Sequence, residues 1–291
     1  MPVVRHSLTS FSIIAVTNNR PYGRSSTVVS VRMVVKKGGT QAAPRLIGFC
    51  LKEKDVTRDA PEDNPLLSSG RLRSNAPKTV AGYARFRKVV EEDGALPASL
   101  KRLFVAAAAC TKGYEAMARR ELAQAATAGL TSEHAAAAMT ILSSSRGEGA
   151  ALRFAEVLSV TYPDDAVIEA DEQPVEVEEG DAEGNFIKYF GTVPPSLRLL
   201  LDLVPTGADA YYLMREGTLS GTALEPAHAE LLLVTVLAAD YSNWASVHID
   251  GARKAGATEA QIAEAILCAV PVAGLSAWVI GATAMEAPKG G

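Results

Sequence analysis

The sequence contains the same motif twice, at an offset of 127 residues. The C-terminal copy runs His248-Ile-Asp-Gly-Ala-Arg-Lys-Ala-Gly-Ala-Thr258, and the earlier copy runs Glu121-Leu-Ala-Gln-Ala-Ala-Thr-Ala-Gly-Leu-Thr131. The same offset relates Tyr241 to Tyr114, Gly274 to Gly147 and Ala277 to Ala150, and a slip of one residue relates Pro205 and Tyr211 to Pro77 and Tyr83. An internal repeat indicates two copies of one structural unit. Only the second copy carries the histidine.

The repeat predicts four segments. Residues 1–62 form an irregular N-terminal leader, and residues 63–162 form a degenerate first unit. Residues 163–185 form an acidic linker, because dense like charge opposes compaction. Residues 186–287 form the second unit, which carries the intact motif.

Both units are predicted to be helical. Hydrophobic residues make up 48% of the chain and much of this share is alanine, the strongest helix former, whereas aromatic residues make up only 6%. Apolar spacing predicts the following helices: Thr79–Glu92, Ser99–Ala109, Tyr114–Ala128, one opening at Thr131, Ala150–Val160, Pro195–Leu203, Ala208–Glu216, Ala227–Ala239, Tyr241–Ala255, Glu259–Ala269 and Leu275–Met285. The fold class is therefore all-α.

Several function classes conflict with the composition. A net charge of −4 without a basic stripe argues against binding to nucleic acid. Cys50, Cys110 and Cys268 are far apart, which argues against a disulfide framework or a zinc site. The segment 265–285 is uncharged, but Pro271 and Gly274 would interrupt a membrane span, and a buried helix pair at a subunit contact explains it better.

The leader has a distinctive composition. No acidic residue precedes Glu53, and the stretch is rich in arginine and serine. This composition is typical of a transit peptide, which would place the protein in a plastid or mitochondrial matrix. A disordered tail or a wrongly chosen start codon of a bacterial gene is the alternative, and the protein would then be cytoplasmic.

Four residues of the second unit are candidates for chemistry. Tyr241, Trp244 and His248 are spaced to lie on one face of a helix, and Glu230 lies near the start of the preceding helix. A carboxylate beside an imidazole makes an acid/base pair, because it fixes the histidine tautomer. The alternative is that His248 packs as a structural residue and that the aromatic residues belong to the core. Asp240 is interpreted as a cap of the helix that follows it.

The second unit resembles the carboxymuconolactone decarboxylase and alkylhydroperoxidase D-like superfamily. The resemblance rests on Glu230, His248, Ala252, Gly256 and the Thr258-Glu pair. It covers residues 186–287 well and the first unit weakly. It implies two tandem helical units that form a pseudo-dimer, and a homo-oligomer in which three such chains form a ring.

The chain departs from the family at the chemistry positions. Tyr241 and Trp244 stand where thiol-dependent members have cysteines, so the peroxide-reducing chemistry has no nucleophile. Glu121 replaces the histidine in the first unit, which then serves as a scaffold or adds Glu121 to a shared pocket.

The resemblance implies a cofactor-free and metal-free lyase that acts on a small unsaturated carboxylic acid or lactone. His248 would move the proton and Glu230 would orient it, with Tyr241 and Trp244 lining the substrate pocket. The reaction would be a decarboxylation or a double-bond shift. A non-catalytic helical scaffold that binds a partner, and a thiol-dependent antioxidant protein, are the alternatives.

Overall fold

The structure is a computed structural model that describes residues 9–16, 28–35, 64–163 and 175–286. Contacts divide the chain into two compact parts, Met1–Ala60 and Pro61–Gly291, and the second part holds both helical units. The N-terminal part contains strands β1 (Thr9–Val16) and β2 (Val28–Val35), which pair antiparallel with Thr9 opposite Val35. The leader was predicted to be irregular, so this hairpin is a correction. Its strands are rich in β-branched residues, which favour extended backbone.

The body from residue 64 onward is helical. Its first half contains α1 (Pro65–Ser68), α2 (Gly70–Asn75), α3 (Pro77–Glu91), α4 (Ala98–Thr111), α5 (Glu115–Thr127), α6 (Ser132–Arg146) and α7 (Glu148–Thr161). Its second half contains α8 (Asp181–Phe190), α9 (Pro195–Leu203), α10 (Pro205–Leu219), α11 (Pro226–Ala239), α12 (Ala245–Lys254), α13 (Glu259–Ala273) and α14 (Leu275–Glu286). The predicted all-α fold of the two units is confirmed. Within the predicted acidic linker, residues 164–174 lie outside the described residues, and α8 begins at Asp181.

Local sequence signals explain where α5 and α12 end and where α6 and α13 begin. Thr131 caps α6 by accepting a hydrogen bond from the N–H of His134, and Thr258 forms a capping box with Gln261 at the start of α13. Gly129 and Gly256 take positive φ values two residues after the ends of α5 and α12, where a residue with a side chain would be strained.

One predicted helix boundary was wrong. The helix expected from Tyr241 begins only at Ala245, because Tyr241 itself has a φ of 55° and the chain turns there. Tyr241 therefore does not share a helix face with His248. Tyr241 lies two residues after α11 and so corresponds to Gly113, which has a positive φ two residues after α4, and not to Tyr114 as the sequence offset indicated.

Helices α3 to α7 correspond in order to α10 to α14. Their starts are 127 or 128 residues apart, as Glu148 and Leu275 or Ala98 and Pro226 illustrate, except that α12 begins 130 residues after α5. The contacts between the units are reciprocal: α13 packs on α3 and α4, while the equivalent α6 packs on α10 and α11. This pattern is compatible with the predicted pseudo-dimer, and one hydrophobic core runs through both units.

Asp240 ties the two units together at the C-terminal end of α11. Its carboxylate lies 2.8 Å from Lys112 Nζ and 2.8 Å from Arg146 Nε, both in the first unit. The interpretation of Asp240 as a cap for a following helix was therefore wrong. Lys112 and Asp240 occupy equivalent C-cap positions of α4 and α11, so each of these residues contacts its own counterpart.

Glu264 of α13 makes a second tie between the units. It accepts hydrogen bonds from the N–H groups of Ala95 and Leu96, both at 2.9 Å, and from Lys101 Nζ at 3.1 Å. Burial alone would raise the pKa of Glu264, but these donors hold it below its usual value. Gly94 leaves the space that the Glu264 carboxylate occupies, since a Cβ at this position would lie 2.2 Å from Glu264 Oε1.

The uncharged segment near the C-terminus forms two helices, as predicted. Pro271 lies inside α13, and the break comes at Gly274, whose φ is 79°. Among the helices of the described residues, none has the length and apolarity that a membrane crossing requires. Leu275 and Val279 of α14 are exposed, and the subunit contact expected here stays a prediction.

We expect Glu264→Gln to lower the free energy of unfolding by about 3 kcal/mol, because it leaves the buried Lys101 ammonium without an anionic partner. Urea denaturation at pH 7 measures this loss. Since the pKa of Glu264 is depressed in the fold, its contribution is present above its ordinary pKa and disappears as the pH falls through the lowered value. The two proteins should therefore converge in stability at low pH.

Glu259→Gln on the same helix is the matched control. Glu259 pairs with Arg253 at the surface, so this change should cost less than about 1 kcal/mol. Equal losses in the two variants would contradict the structural role of Glu264.

Candidate active site

The acid/base pair expected from the sequence is assembled. Glu230 lies one turn into α11 and His248 lies in the first turn of α12, and the two helices pack together. His248 Nδ1 is 2.7 Å from Glu230 Oε2. The glutamate side chain is 5% exposed and that of the histidine 24%. The carboxylate therefore holds one ring nitrogen of His248 and leaves Nε2 for other partners.

Tyr189 of α8 is a third member of this cluster. Its hydroxyl donates a hydrogen bond of 2.8 Å to Glu230 Oε1. Burial, with the charge of Glu230, raises the pKa of Tyr189, so the phenol stays protonated and acts as a donor. Both oxygens of Glu230 are thus engaged. Tyr189 was not predicted from the sequence, because it lies 41 residues before Glu230 in a segment with no recognisable motif.

Gly251 makes room for the carboxylate. A Cβ at this position would lie 2.4 Å from Glu230 Oε1, closer than atoms can approach. Gly251 follows His248 by three residues on α12, so the same helix face supplies the imidazole and the gap for its partner.

His248 borders a cavity of about 380 Å³, which we call the His248 cavity. This volume is in the range of small-molecule sites. The lining comes from both units: Ser144, Ser145, Arg146, Tyr189, Phe190, Tyr211, Met214, Arg215, Thr218, Leu219, Leu233, Leu237, Ser242, Trp244, Val247 and His248. A neighbouring cavity of about 780 Å³, the Glu230 cavity, shares Tyr189 and Arg215 with it and is lined by Glu230, Val247 and Gly251.

Two arginines of the His248 cavity have unused hydrogen-bonding capacity. Arg215 stacks on Tyr189, with its guanidinium carbon 3.3 Å from the ring centroid, and its Nη1 donates to Asn185. The Nη2 atoms of Arg215 and Arg146 are buried and have no hydrogen-bond partner among the described residues. Such guanidinium groups suit a carboxylate ligand. Neither arginine was predicted from the sequence, because neither lies near the His248 motif in the chain.

The two aromatic candidates have different positions. Trp244 is the N-cap residue of α12, is 70% exposed and lines the His248 cavity. Tyr241 lines neither the His248 cavity nor the Glu230 cavity. Its hydroxyl donates to the carbonyl of Ala273 and its ring lies near Lys112. The structure therefore brings together Glu230, His248 and Trp244, but places Tyr241 outside the group.

Glu121, the first-unit counterpart of His248, does not reach the His248 cavity. It is fully buried and forms ion pairs with Arg87, Arg102 and Arg120. Its suggested contribution to a shared pocket is therefore not observed. The first unit contributes through Ser144, Ser145 and Arg146 of α6 instead.

The described cysteines, Cys110 and Cys268, are buried away from His248. Neither lines the His248 cavity. Burial raises the pKa of the Cys110 thiol to about 12 and also raises that of Cys268, so both stay protonated near neutral pH. Cys50 lies outside the described residues. Among those residues, no group of three or more histidine, cysteine, aspartate or glutamate side chains is placed to hold a metal ion.

Comparison with known proteins bears on the family resemblance of the second unit. Residues 205–287 match the model of the carboxymuconolactone decarboxylase family. The predicted resemblance is confirmed. The matched segment spans α10 to α14 and includes Glu230, His248 and Gly251. No protein of curated function matches the chain.

A solved structure is similar over both units. It is a Burkholderia xenovorans protein that bears the name γ-carboxymuconolactone decarboxylase subunit, with 19% sequence identity and a TM-score of 0.51. The similarity covers 78% of this chain and 93% of the other. This extent exceeds the second unit alone, so the carboxymuconolactone decarboxylase-like fold includes first-unit helices.

We expect Gly251→Ala to displace the Glu230 carboxylate and to lower the free energy of unfolding by about 1–3 kcal/mol through overpacking. Gly82→Ala is the control, because Gly82 lies inside α3 with open space around it. That change should leave stability equal or raise it by up to about 1 kcal/mol. Thermal or urea unfolding compares the two, and a neutral Gly251→Ala would show that Glu230 does not need the gap.

Proposed function

We propose that the protein is a lyase or isomerase that uses acid/base chemistry on a small unsaturated carboxylic acid or lactone. The observation that carries the proposal is a histidine, oriented by a buried glutamate, at the wall of a cavity that also contains two arginines with free donors. The match to the carboxymuconolactone decarboxylase family supports the same chemistry.

The arginines would bind and orient the substrate. A carboxylate that accepts hydrogen bonds from Arg215 or Arg146 would occupy donors that are otherwise unpaired. Leu233, Leu237 and Trp244 would contact the apolar part of the molecule. With one end fixed by charge and the other by apolar contacts, the reacting carbon would lie near His248 in one orientation.

His248 would transfer the proton through Nε2, while Glu230 holds Nδ1 and so fixes the orientation of the imidazole. In a decarboxylation, the C–C bond to the leaving carboxylate breaks, its electron pair enters the conjugated system as a dienolate, and carbon dioxide departs. The protonated His248 then protonates carbon, and regains its proton from water. In a double-bond shift, His248 removes a proton from one carbon and returns it to another.

The placement of His248 supports this proposal over a non-catalytic scaffold. A purely structural histidine would be packed against its neighbours, whereas His248 is partly exposed at a cavity. The burial and raised pKa values of Cys110 and Cys268 argue against a thiol-dependent peroxidase. Assembly into a ring of three chains and transport of the protein into an organelle remain proposals that rest on sequence alone.

The test is carbon dioxide release from γ-carboxymuconolactone and a panel of related unsaturated acids, together with ultraviolet detection of double-bond shifts. His248→Ala should lower kcat/KM by about 10²- to 10⁴-fold, the usual contribution of a general acid/base. The kcat/KM of Glu230→Gln should lie between that of His248→Ala and that of the wild type. Arg215→Gln should mainly raise KM.

His228→Ala is the matched control, because His228 lies on α11 close to Glu230 but lines neither the His248 cavity nor the Glu230 cavity. It should retain wild-type activity. An activity that survives His248→Ala would contradict the proposed role of the histidine, and a chain that is inactive on the whole panel would favour the scaffold alternative.

A further inference from the structure

The first unit has a cavity of its own at the position that corresponds to the Glu230 cavity. It measures about 500 Å³ and includes Arg87, Glu91, Arg102, Arg120 and Gln124 in its lining, and we call it the arginine cavity. By the repeat, Arg87 corresponds to Arg215, Arg102 to Glu230, Arg120 to Val247 and Gln124 to Gly251, and these four counterparts line the Glu230 cavity. The two units therefore have equivalent cavities with different chemistry.

The acid/base pair of the second unit is an ion pair in the first. Arg102 stands in place of Glu230, Glu121 stands in place of His248, and their charged groups lie 3.5 Å apart. No imidazole takes part in this pair, so the side chain best suited to proton exchange near neutral pH is missing from it. The arginine cavity is thus suited to binding charge rather than to moving protons.

The cavity has an excess of positive charge. Its three guanidinium groups face two carboxylates, Glu91 and Glu121. Arg120 binds Glu121 through Nε and Nη2, and Arg87 binds Glu91 and Glu121 through the same two atoms. Burial lowers the pKa of Arg102 despite the nearby Glu121. One positive charge is left without a counter-ion among these five side chains.

An unpaired donor lies at the most deeply buried arginine of this cavity. Arg87 has a side chain that is 1% exposed, and its Nη1 atom is buried without a hydrogen-bond partner in the described part of the chain. A buried guanidinium nitrogen in this state is unfavourable unless a ligand or water satisfies it. The equivalent Arg215 also has an unpaired buried nitrogen, Nη2.

We propose that the arginine cavity binds a small organic monoanion, with a carboxylate that pairs with Arg87 and its neighbouring arginines. A monoanion matches the single excess charge, and a carboxylate has the planar shape that guanidinium groups bind in two-point contacts. This site is separate from the His248 cavity and does not depend on the function proposed for it.

Isothermal titration calorimetry of the full chain with sodium benzoate, at low chloride, tests the proposal. Glu91→Gln should tighten binding about threefold or more, because it removes a carboxylate that competes for Arg87. A gain of affinity cannot arise from misfolding. Glu92→Gln is the matched control, since Glu92 is the exposed neighbour and is absent from the cavity lining; it should leave the affinity within about twofold at moderate ionic strength.

Arg87→Lys keeps the positive charge but replaces the planar guanidinium, with its three nitrogens, by a single ammonium. It should weaken benzoate binding about tenfold. Benzamide, which is neutral, should not bind. Arg215→Gln separates the two units: it should leave this binding intact, whereas loss of all benzoate binding in Arg215→Gln would assign the ligand to the second unit. Loss of all benzoate binding in Arg215→Gln would overturn the proposal. So would the absence of heat up to about 20 mM benzoate, or equal benzoate affinities in the wild type and Glu91→Gln.

Discussion

The two units depend on one shared core. Helices α4 and α11 are buried over nearly their whole length, and the apolar residues around them form a single cluster that includes both halves of the body. A helix that is apolar on all sides needs neighbours on all sides, and each unit supplies part of the cover for the other through α6 and α13. We infer that neither unit would retain its structure alone. The C-terminal end of α6 is brought to the His248 cavity by the same packing, so the interface also builds the site.

Two similar units within one chain are free of a restriction that symmetric dimers obey. In a dimer of identical chains, residues beside the twofold axis meet their own copies, and like charges then repel. Here the equivalent positions 112 and 240 hold a lysine and an aspartate, which attract each other at 2.8 Å. The same freedom allows equivalent positions to hold different residues, as with Arg102 and Glu230 or Glu121 and His248. The two units thus share a scaffold, while their equivalent cavities carry different charges.

Local patterns in the sequence were sufficient for the helices and for part of the site. Periodicity and caps such as Thr258 and Gly256 are properties of neighbouring residues, so they could be interpreted without the fold. The pairing of Glu230 with His248 required only that α11 and α12 pack as a hairpin. Tyr241 was misplaced because nothing in its identity indicates a positive φ, which is rare for a residue with a side chain.

The remaining site residues could not be predicted, because tertiary packing alone brings them together. Tyr189 reaches Glu230 from a helix three elements earlier, and Arg146 comes from the other unit. No spacing rule relates such residues to His248 along the chain. The N-terminal hairpin was missed for a different reason: its composition was interpreted as a targeting signal, although strands rich in valine and isoleucine favour pairing.

The chemistry of each unit depends on how one side chain is held. Tyr189, His248 and the gap at Gly251 fix the Glu230 carboxylate from three directions, so it can orient the imidazole without rotating. Because Nδ1 is occupied, any proton exchanged with a ligand in the His248 cavity passes through Nε2. In the first unit, three arginines fix Glu121 through ion pairs, and Glu121 stands where the second unit has its histidine. Rigid positioning is therefore common to both units, and the histidine is the group through which we propose that the second unit transfers protons.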